Sequence, residues 1–294
     1  MGTMVVLVLP MVWALAGAAP ADTTSIDCGM CADWNAPQAP FKLHGRSWYV
    51  GPRGLSSVLI DSGDGLVLLD GALPQSAEMI AANIRSLGFD ITDVAWIVNS
   101  HAHFDHAGGI AALRRMSGGK VAASPRGAQG LRIGNATPDD PQAGAGLAAM
   151  GFPPVADVVE IADGERIAIG EIELIAHHTP GHTPGGVTWT WRSCEGDNCI
   201  DMVYADSLTA FSAPDFRFTR DPTVVADFQR SVRRVAALPC DLLVSTHPEA
   251  SGLFERKDAG GDAALIDPRG CRAYADRAGV RLEARIAEEA AAAE

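Results

Sequence analysis

The sequence predicts an α/β chain in which two mixed sheets face each other and helices cover them from outside. Three observations predict this class. Each half of the chain reads as short apolar strands followed by a helix. Gly-rich turns separate the early strands, as in a meander. Hydrophobic residues make up 47% of the 294, enough to bury a sizeable core.

The elements follow in order. Residues 22–45 contain Pro and Gly, look irregular and read as an N-terminal arm. Trp48-Tyr49-Val50, Ser57-Val58-Leu59-Ile60 and Leu66-Val67-Leu68-Leu69 read as strands. From Gln75 to Leu87 the spacing is helical, with Ile80, Ile84 and Leu87 on one face and Gly88 as the stop. Val94 to Val98 is a buried strand that runs into a histidine cluster. The second half offers strands at Val158–Ile161, Ile172–Ile175, Val187–Trp191 and Met202–Tyr204. A helix over Val224–Leu238, the strand Leu242–Val244 and a last helix over roughly Arg272–Ala292 complete it. No low-complexity linker divides residues 22–294, which read as a single domain.

The formal net charge of −13 argues against a nucleic-acid partner, which would need a basic patch. Met4 to Ala19 is apolar and is followed by small residues, so residues 1–21 read as an export signal, although no Lys or Arg precedes the run. The run is short of the roughly 20 apolar residues a membrane span needs, so no stable membrane insertion of the mature chain is expected. Six cysteines fit an exported chain. Cys194 and Cys199 flank a turn-like segment, where a bond would staple a hairpin. Cys240 and Cys271 bracket the C-terminal region, where a bond would tie the last helix to the body. Cys28 and Cys31 are left, either as a pair or as a Cys-x-x-Cys redox or zinc motif. The second reading lacks both a companion pair and a thioredoxin-like context.

Chemistry concentrates in His101-Ala-His103-Phe-Asp105-His106. Four metal-competent side chains within six positions mark a metal site. In an extended loop, residues two apart share a side, so His101 and His103 can meet one metal. Asp105 and His106 turn towards a second, and Ala107-Gly108-Gly109 lets the backbone bend sharply into a helix. A catalytic zinc takes three protein ligands and keeps an open position. His182, in a Pro/Gly turn after a strand, is the candidate third ligand of the first metal. His247, after the strand Leu242–Val244, completes the second with Asp105 and His106. His177 and His178 are adjacent and point to opposite faces, and neither is expected to be a ligand. His44 reads as a surface residue.

These residues resemble the metallo-β-lactamase superfamily: His101-Ala-His103-Phe-Asp105-His106-Ala-Gly-Gly, Thr179-Pro-Gly-His182-Thr and Ser245-Thr-His247-Pro. Gly185 to Cys194, Tyr204 to Ala210, Trp48 to Gly51, Leu69-Asp70-Gly71 and the Cys240/Cys271 pair are similar to its subclass B3. The resemblance runs from about Trp34 to about Ala284. It implies an αβ/βα four-layer sandwich, two Zn2+ ions, and hydrolysis of the β-lactam ring of penicillins, cephalosporins and carbapenems. Two zincs roughly 3.5–4 Å apart share a water, lower its pKa towards ~7, and let the hydroxide attack the lactam carbonyl. Asp105 would hold the second zinc and orient that hydroxide as the catalytic carboxylate. Ser207 and Thr209 match positions whose hydroxyls meet the substrate carboxylate, and Phe152 would form an apolar wall. Asp70 would support the histidine loop. The implied setting is a periplasmic monomer acting on a small molecule.

The nearest rival is a lactonase or a glyoxalase-II-like thioesterase of the same superfamily. Such enzymes use an extra Asp that bridges the metals, and Asp206 stands near that register. A zinc store would favour Cys ligands and closed coordination. An iron oxidoreductase of this fold carries Glu where His103 stands, and the all-His set favours zinc.

Overall fold

The structure, a computed structural model, describes residues 21–144 and 151–292. The export signal expected over residues 1–21 therefore lies outside the described residues except for Ala21.

The first sheet contains β1 (Phe41–His44), β2 (Ser47–Tyr49), β3 (Val58–Asp61), β4 (Leu66–Leu69), β5 (Val94–Val98), β6 (Lys120–Ala123) and β7 (Val158–Glu160), in that spatial order. Its first four strands form an antiparallel meander, and β4 to β7 are parallel. Parallel neighbours need crossovers, and helices supply them. Before β1 lies α1 (Cys31–Trp34), and after β4 come α2 (Ala77–Ser86), α3 (Phe104–Ala107), α4 (Ile110–Ser117) and α5 (Pro125–Ile133). The second sheet holds β8 (Arg166–Ile169), β9 (Ile172–His178), β10 (Val187–Glu195), β11 (Asn198–Ala205) and β12 (Leu242–Ser245), in the order β12-β11-β10-β9-β8. α6 (Pro222–Ala237) crosses from β11 to its parallel neighbour β12. α7 (Pro248–Ser251), α8 (Leu253–Gly260) and α9 (Gly270–Ala291) follow.

Side-chain alternation builds the layers. Val58, Ile60, Val67 and Leu69 of the first sheet meet Leu174, Trp189, Met202 and Tyr204 of the second in one core. The intervening Leu59, Leu66 and Leu68 pack under α2 and α4 with Ile80, Ile84 and Leu113. On the far side, Val203 and Ala205 pack with Phe228 of α6 and Tyr274 and Ala278 of α9. Helices, sheet, sheet and helices are thus stacked in four layers, as expected from the sequence.

Two expectations need correction. Residues 22–45 are not wholly irregular, because they contain α1 and β1. His44 is buried at the end of β1, with Nε2 3.2 Å from the Asn198 carbonyl, rather than on the surface. Its buried ring nitrogen finds a partner in that carbonyl, at the turn of the β10–β11 hairpin of the facing sheet.

The cysteines form three bonds, Cys28–Cys31, Cys194–Cys199 and Cys240–Cys271. Cys194 and Cys199 stand opposite each other in the β10–β11 ladder. Cys240–Cys271 ties the entry to β12 to the start of α9 across 31 residues. Replacing both of these cysteines by Ser is expected to cost about 2–4 kcal/mol in urea unfolding. An unchanged midpoint and slope would contradict that role for the bond. Among the described residues, no helix is long and apolar enough to cross a membrane.

Candidate metal centre

Strands β4 and β5 run parallel, and in the second sheet β9, β11 and β12 share one direction. The segments leaving their C-terminal ends carry the site: Asp70 after β4, Asn99 to His106 after β5, Thr179 to His182 after β9, Asp206 to Thr209 after β11, and Thr246-His247 after β12. Bonds between the sheets fix these ends against each other. The Trp189 Nε1–H donates to the Asn99 carbonyl, Val187 N to the Ser100 carbonyl, and Ser56 N to the Thr246 carbonyl.

Locally, His103 precedes the single turn of α3, and its carbonyl accepts from His106 N and Ala107 N. That turn brings Asp105 and His106 round to the same cleft. Gly108 and Gly109 sit where a side chain cannot fit. A Cβ on Gly108 would lie 2.3 Å from the Phe104 carbonyl oxygen, and one on Gly109 would lie 2.2 Å from that of Gly71. Close backbone approach, rather than a special dihedral, demands glycine there.

The predicted ligands come together as two trios. His101, His103 and His182 offer ligand atoms within 4.8 Å of one another, and all three are buried. In the second trio Asp105 Oδ2 lies 3.2 Å from His106 Nε2 and 3.3 Å from His247 Nε2, and the two imidazole nitrogens are 3.2 Å apart. A tetrahedral ion with bonds of about 2.0–2.1 Å has ligand–ligand edges of about 3.3 Å. The spacing fits that geometry. His101 Nε2 is buried without a hydrogen-bond partner, as a nitrogen reserved for a cation should be. His101 also stands within reach of Asp105 and His106, so the two trios adjoin.

Each histidine of the first trio is held by its other nitrogen. His101 Nδ1 donates to Asp206 Oδ1 at 2.7 Å, leaving Nε2 for a metal. His182 Nδ1 donates to the Thr209 carbonyl at 2.9 Å, again leaving Nε2. His103 is reversed: its Nε2 faces Asp140 Oδ2 at 3.1 Å, which leaves Nδ1. Gln142 Nε2 lies 3.3 Å from His182 Nε2. Behind the loop, the carboxylate of Asp70 accepts from Ser100 N, Ser100 Oγ, Asn99 Nδ2 and Tyr204 OH.

Burial governs the electrostatics. It holds His101 well below the usual imidazole range, with the neighbouring His106, His103 and His182 adding to the effect. Burial pushes His182 down to about 3, with His103 as the next cause. For Asp105, burial alone would raise the carboxyl, but His106 and His247 outweigh it and hold the group well below its ordinary value. Burial pushes Asp206 well up. His103 goes the other way: burial disfavours its cation, but the bond and charge of Asp140 more than offset that. Two depressed histidines have a consequence for the metal-free protein. The unfolded chain takes up protons below about pH 6.5, while folded His101 and His182 do not. Stability therefore falls as pH drops through that value, with His103 partly opposing. Urea melts of chelator-treated protein at about pH 7.5 and about pH 5 check this, and replacing His182 by Gln should flatten the slope. Equal or greater stability at the lower pH would refute the assignment.

The three residues expected to meet substrate have partners within the protein. Ser207 is buried, with Oγ 2.8 Å from Thr246 Oγ1. Thr209 Oγ1 lies 2.9 Å from His182 Nδ1, so this residue holds a histidine with both side chain and carbonyl. Phe152 does not form an open wall. It is buried in the core under the first sheet, because its N–H is tied to the Gly134 carbonyl and its ring packs with Leu131 and Val155. The exposed aromatic ring on the segment after β11 is Phe211. Asp140, Gln142 and Trp34 were not anticipated. Trp34 packs on the His247 ring at a centroid distance of 5.3 Å, and only its position close to the disulfide Cys28–Cys31 marks it in the sequence. His177 and His178 bond Thr190 and the Ile161 carbonyl instead, outside both trios.

Comparison with known proteins agrees with the geometry. The family profile of the metallo-beta-lactamase superfamily matches residues 50–247. A subclass B3 metallo-beta-lactamase isolated from a soil metagenome library is 50% identical, covers 88% of this chain and 99% of its own, and superposes with a TM-score of 0.84. A metallo-beta-lactamase from Novosphingobium pentaromativorans is 42% identical over 89% of this chain and 94% of its own, with a TM-score of 0.82. Among curated proteins, a hydroxyacylglutathione hydrolase of Anaeromyxobacter dehalogenans is 30% identical over 171 residues, 58% of this chain and 52% of that one. The chain spans between about half and two thirds of the length of the first such relatives. With its fold, its histidine trios and these likenesses in agreement, the chain belongs to the metallo-beta-lactamase superfamily and resembles its subclass B3.

Proposed function

We propose that this chain hydrolyses the β-lactam ring of antibiotics with two zinc ions, one on His101, His103 and His182 and the other on Asp105, His106 and His247. The carrying observation is the second trio, whose three donor atoms lie 3.2–3.3 Å apart with a carboxylate among them. The nitrogen and oxygen donor set suits zinc. Bound zinc supplies Lewis acidity towards the lactam carbonyl and acidifies water towards neutrality. The protein does the rest. Asp206 and Thr209 hold the rings of His101 and His182 in the tautomer that presents Nε2. Asp105 stays ionised, held so by His106 and His247, and serves as the carboxylate that orients the attacking water. The substrate is a small molecule entering the cleft where the strands end. Residues 22–294 act as one domain and one monomer. The three disulfides and the apolar N-terminal segment support a periplasmic setting reached through a signal peptide.

The position of Asp206 disfavours the lactonase or thioesterase reading. A metal-bridging carboxylate must reach the cleft between the trios. Asp206 instead sits on the Nδ1 side of His101, away from the nitrogen left for metal, and lies against Gly186, where a Cβ would come within 2.1 Å of its Oδ2.

Zinc-loaded protein should turn over nitrocefin and members of a β-lactam panel, and should do so far better than thioester or lactone substrates. His103→Ala should abolish that turnover and lower the bound zinc, while far-UV circular dichroism stays unchanged. Absence of β-lactam hydrolysis by the zinc-loaded wild type would overturn the proposal.

A further inference from the structure

The 137–143 segment supplies a group that no motif marks. Asp140 is buried, and its two carboxylate oxygens have separate tasks. Oδ1 accepts the Gln142 backbone N–H at 2.8 Å, closing a local turn. Oδ2 faces His103 Nε2 at 3.1 Å. The turn is braced on both sides. Asp140 N donates to the Thr137 carbonyl, Ala143 N to the Asp140 carbonyl, and Ala213 N, from the segment after β11, to the Pro141 carbonyl. Asp140 therefore cannot easily follow His103 if that ring turns.

An ionised carboxylate only accepts hydrogen bonds. Facing Asp140, His103 must carry a proton on Nε2, and its Nδ1 is then the nitrogen with the free lone pair. The other two histidines of the trio are held at Nδ1 and present Nε2. A metal shared by all three thus needs His103 in the opposite tautomer, and the fold places one carboxylate to impose it.

We propose that Asp140 is the positioning residue that selects Nδ1 of His103 as ligand and thereby sets the affinity of the first metal position. The inference rests on the two-zinc reading above, but not on the substrate.

Asp140→Asn is the discriminating change because it is isosteric. The amide oxygen can keep the Gln142 N–H, so the turn survives. The amide nitrogen then faces His103 Nε2 and donates to it, which drives the proton onto Nδ1 and blocks the metal. Asp140→Ala loses the turn as well, yet leaves the ring free to choose its tautomer. A merely structural role predicts that Ala is worse than Asn in every measurement. The tautomer role predicts a crossing: Asn is the more stable apoprotein, but binds metal no better than Ala.

The test titrates full-length wild type, Asp140→Asn and Asp140→Ala with zinc against a chromophoric chelator, with apoprotein melting and Co2+ absorption spectra beside it. Asp140→Asn should lose one of two equivalents by about 10–100-fold in affinity, and the Co2+ spectrum of that position should change. The other equivalent should stay within about twofold of wild type. If Asp140→Ala does not fold, the Asn variant alone decides. Wild-type affinity for both ions in Asp140→Asn would overturn the proposal, as would losses that follow the order of apoprotein stability. A wild type that binds two zincs but spares β-lactams would defeat the proposed function and leave this inference standing.

Discussion

Asp105→Ala is expected to lower kcat/KM for a β-lactam by at least about 10³-fold and to take bound zinc from two equivalents towards one. A metal centre that brings water from a pKa of about 15.7 to about 7 leaves room for a loss of that size when one of its ligands goes. Asp105 is the only anionic member of its trio. Without it, His106 Nε2 and His247 Nε2 face each other at 3.2 Å as two neutral imidazoles, with no charge to offset a dication. The fold should tolerate the change, since the Asp105 carboxylate pairs with these two histidines rather than with apolar core. Asp105→Asn separates charge from shape: it keeps the volume and one oxygen, and should fail nearly as badly if charge dominates. Metal analysis by mass spectrometry, steady-state kinetics and circular dichroism decide the matter. Retention of two zincs with more than about a tenth of wild-type activity would refute the role.

The sequence disclosed most of this centre and much of the frame, for different reasons. β4, β5 and β12 are readable because they are dense in Leu, Val, Ile and Trp, as largely buried strands must be, and β10 because Val187, Trp189 and Trp191 alternate with Thr188 and Thr190. The ligand residues are readable because five of the six follow such strands closely. β6 and β8 are hidden because their residues, Lys120-Val-Ala-Ala and Arg166-Ile-Ala-Ile, carry too little apolar bulk. α5 is hidden because Gly127 and Gly130 depress its helix propensity. The structure explains those glycines: a Cβ on Gly130 would lie 2.6 Å from the Ala102 Cβ, beside the histidine loop. Asp140 was invisible for a simpler reason. It meets His103 across 37 residues of sequence, and no local pattern records such a meeting. The same holds for Thr209, whose hydroxyl and carbonyl meet His182 across 27 residues of sequence.

Asp70→Ala should be the most destabilising single change near the site, at about 3–5 kcal/mol, or on the order of 10 °C in melting temperature. The side chain accepts four hydrogen bonds in a fully buried place, from Asn99 Nδ2 at 3.0 Å, Ser100 N at 2.7 Å, Ser100 Oγ at 2.6 Å and Tyr204 OH at 2.9 Å. Alanine leaves the Asn99 and Ser100 donors without water to replace their acceptor, at about 1–3 kcal/mol for each orphan, whereas the Tyr204 hydroxyl keeps the Ser56 carbonyl at 2.9 Å. Asp70 also has φ of 58°, a conformation that Asp and Asn tolerate better than Ala. Asp70→Asn should therefore cost less, about 1–2 kcal/mol, because hydroxyl donors can rotate to accept from an amide. The network joins the end of β4 to the residue before His101 and, through Tyr204, to β11 of the facing sheet. Stability and metal binding should consequently fall together in Asp70→Ala, whereas Asp105→Ala should lose metal with little loss of fold. Denaturant melts of the two metal-free variants, set beside their zinc titrations, separate these patterns. An Asp70→Ala apoprotein within about 1 kcal/mol of wild type would show that the two sheets hold the histidine loop without this carboxylate.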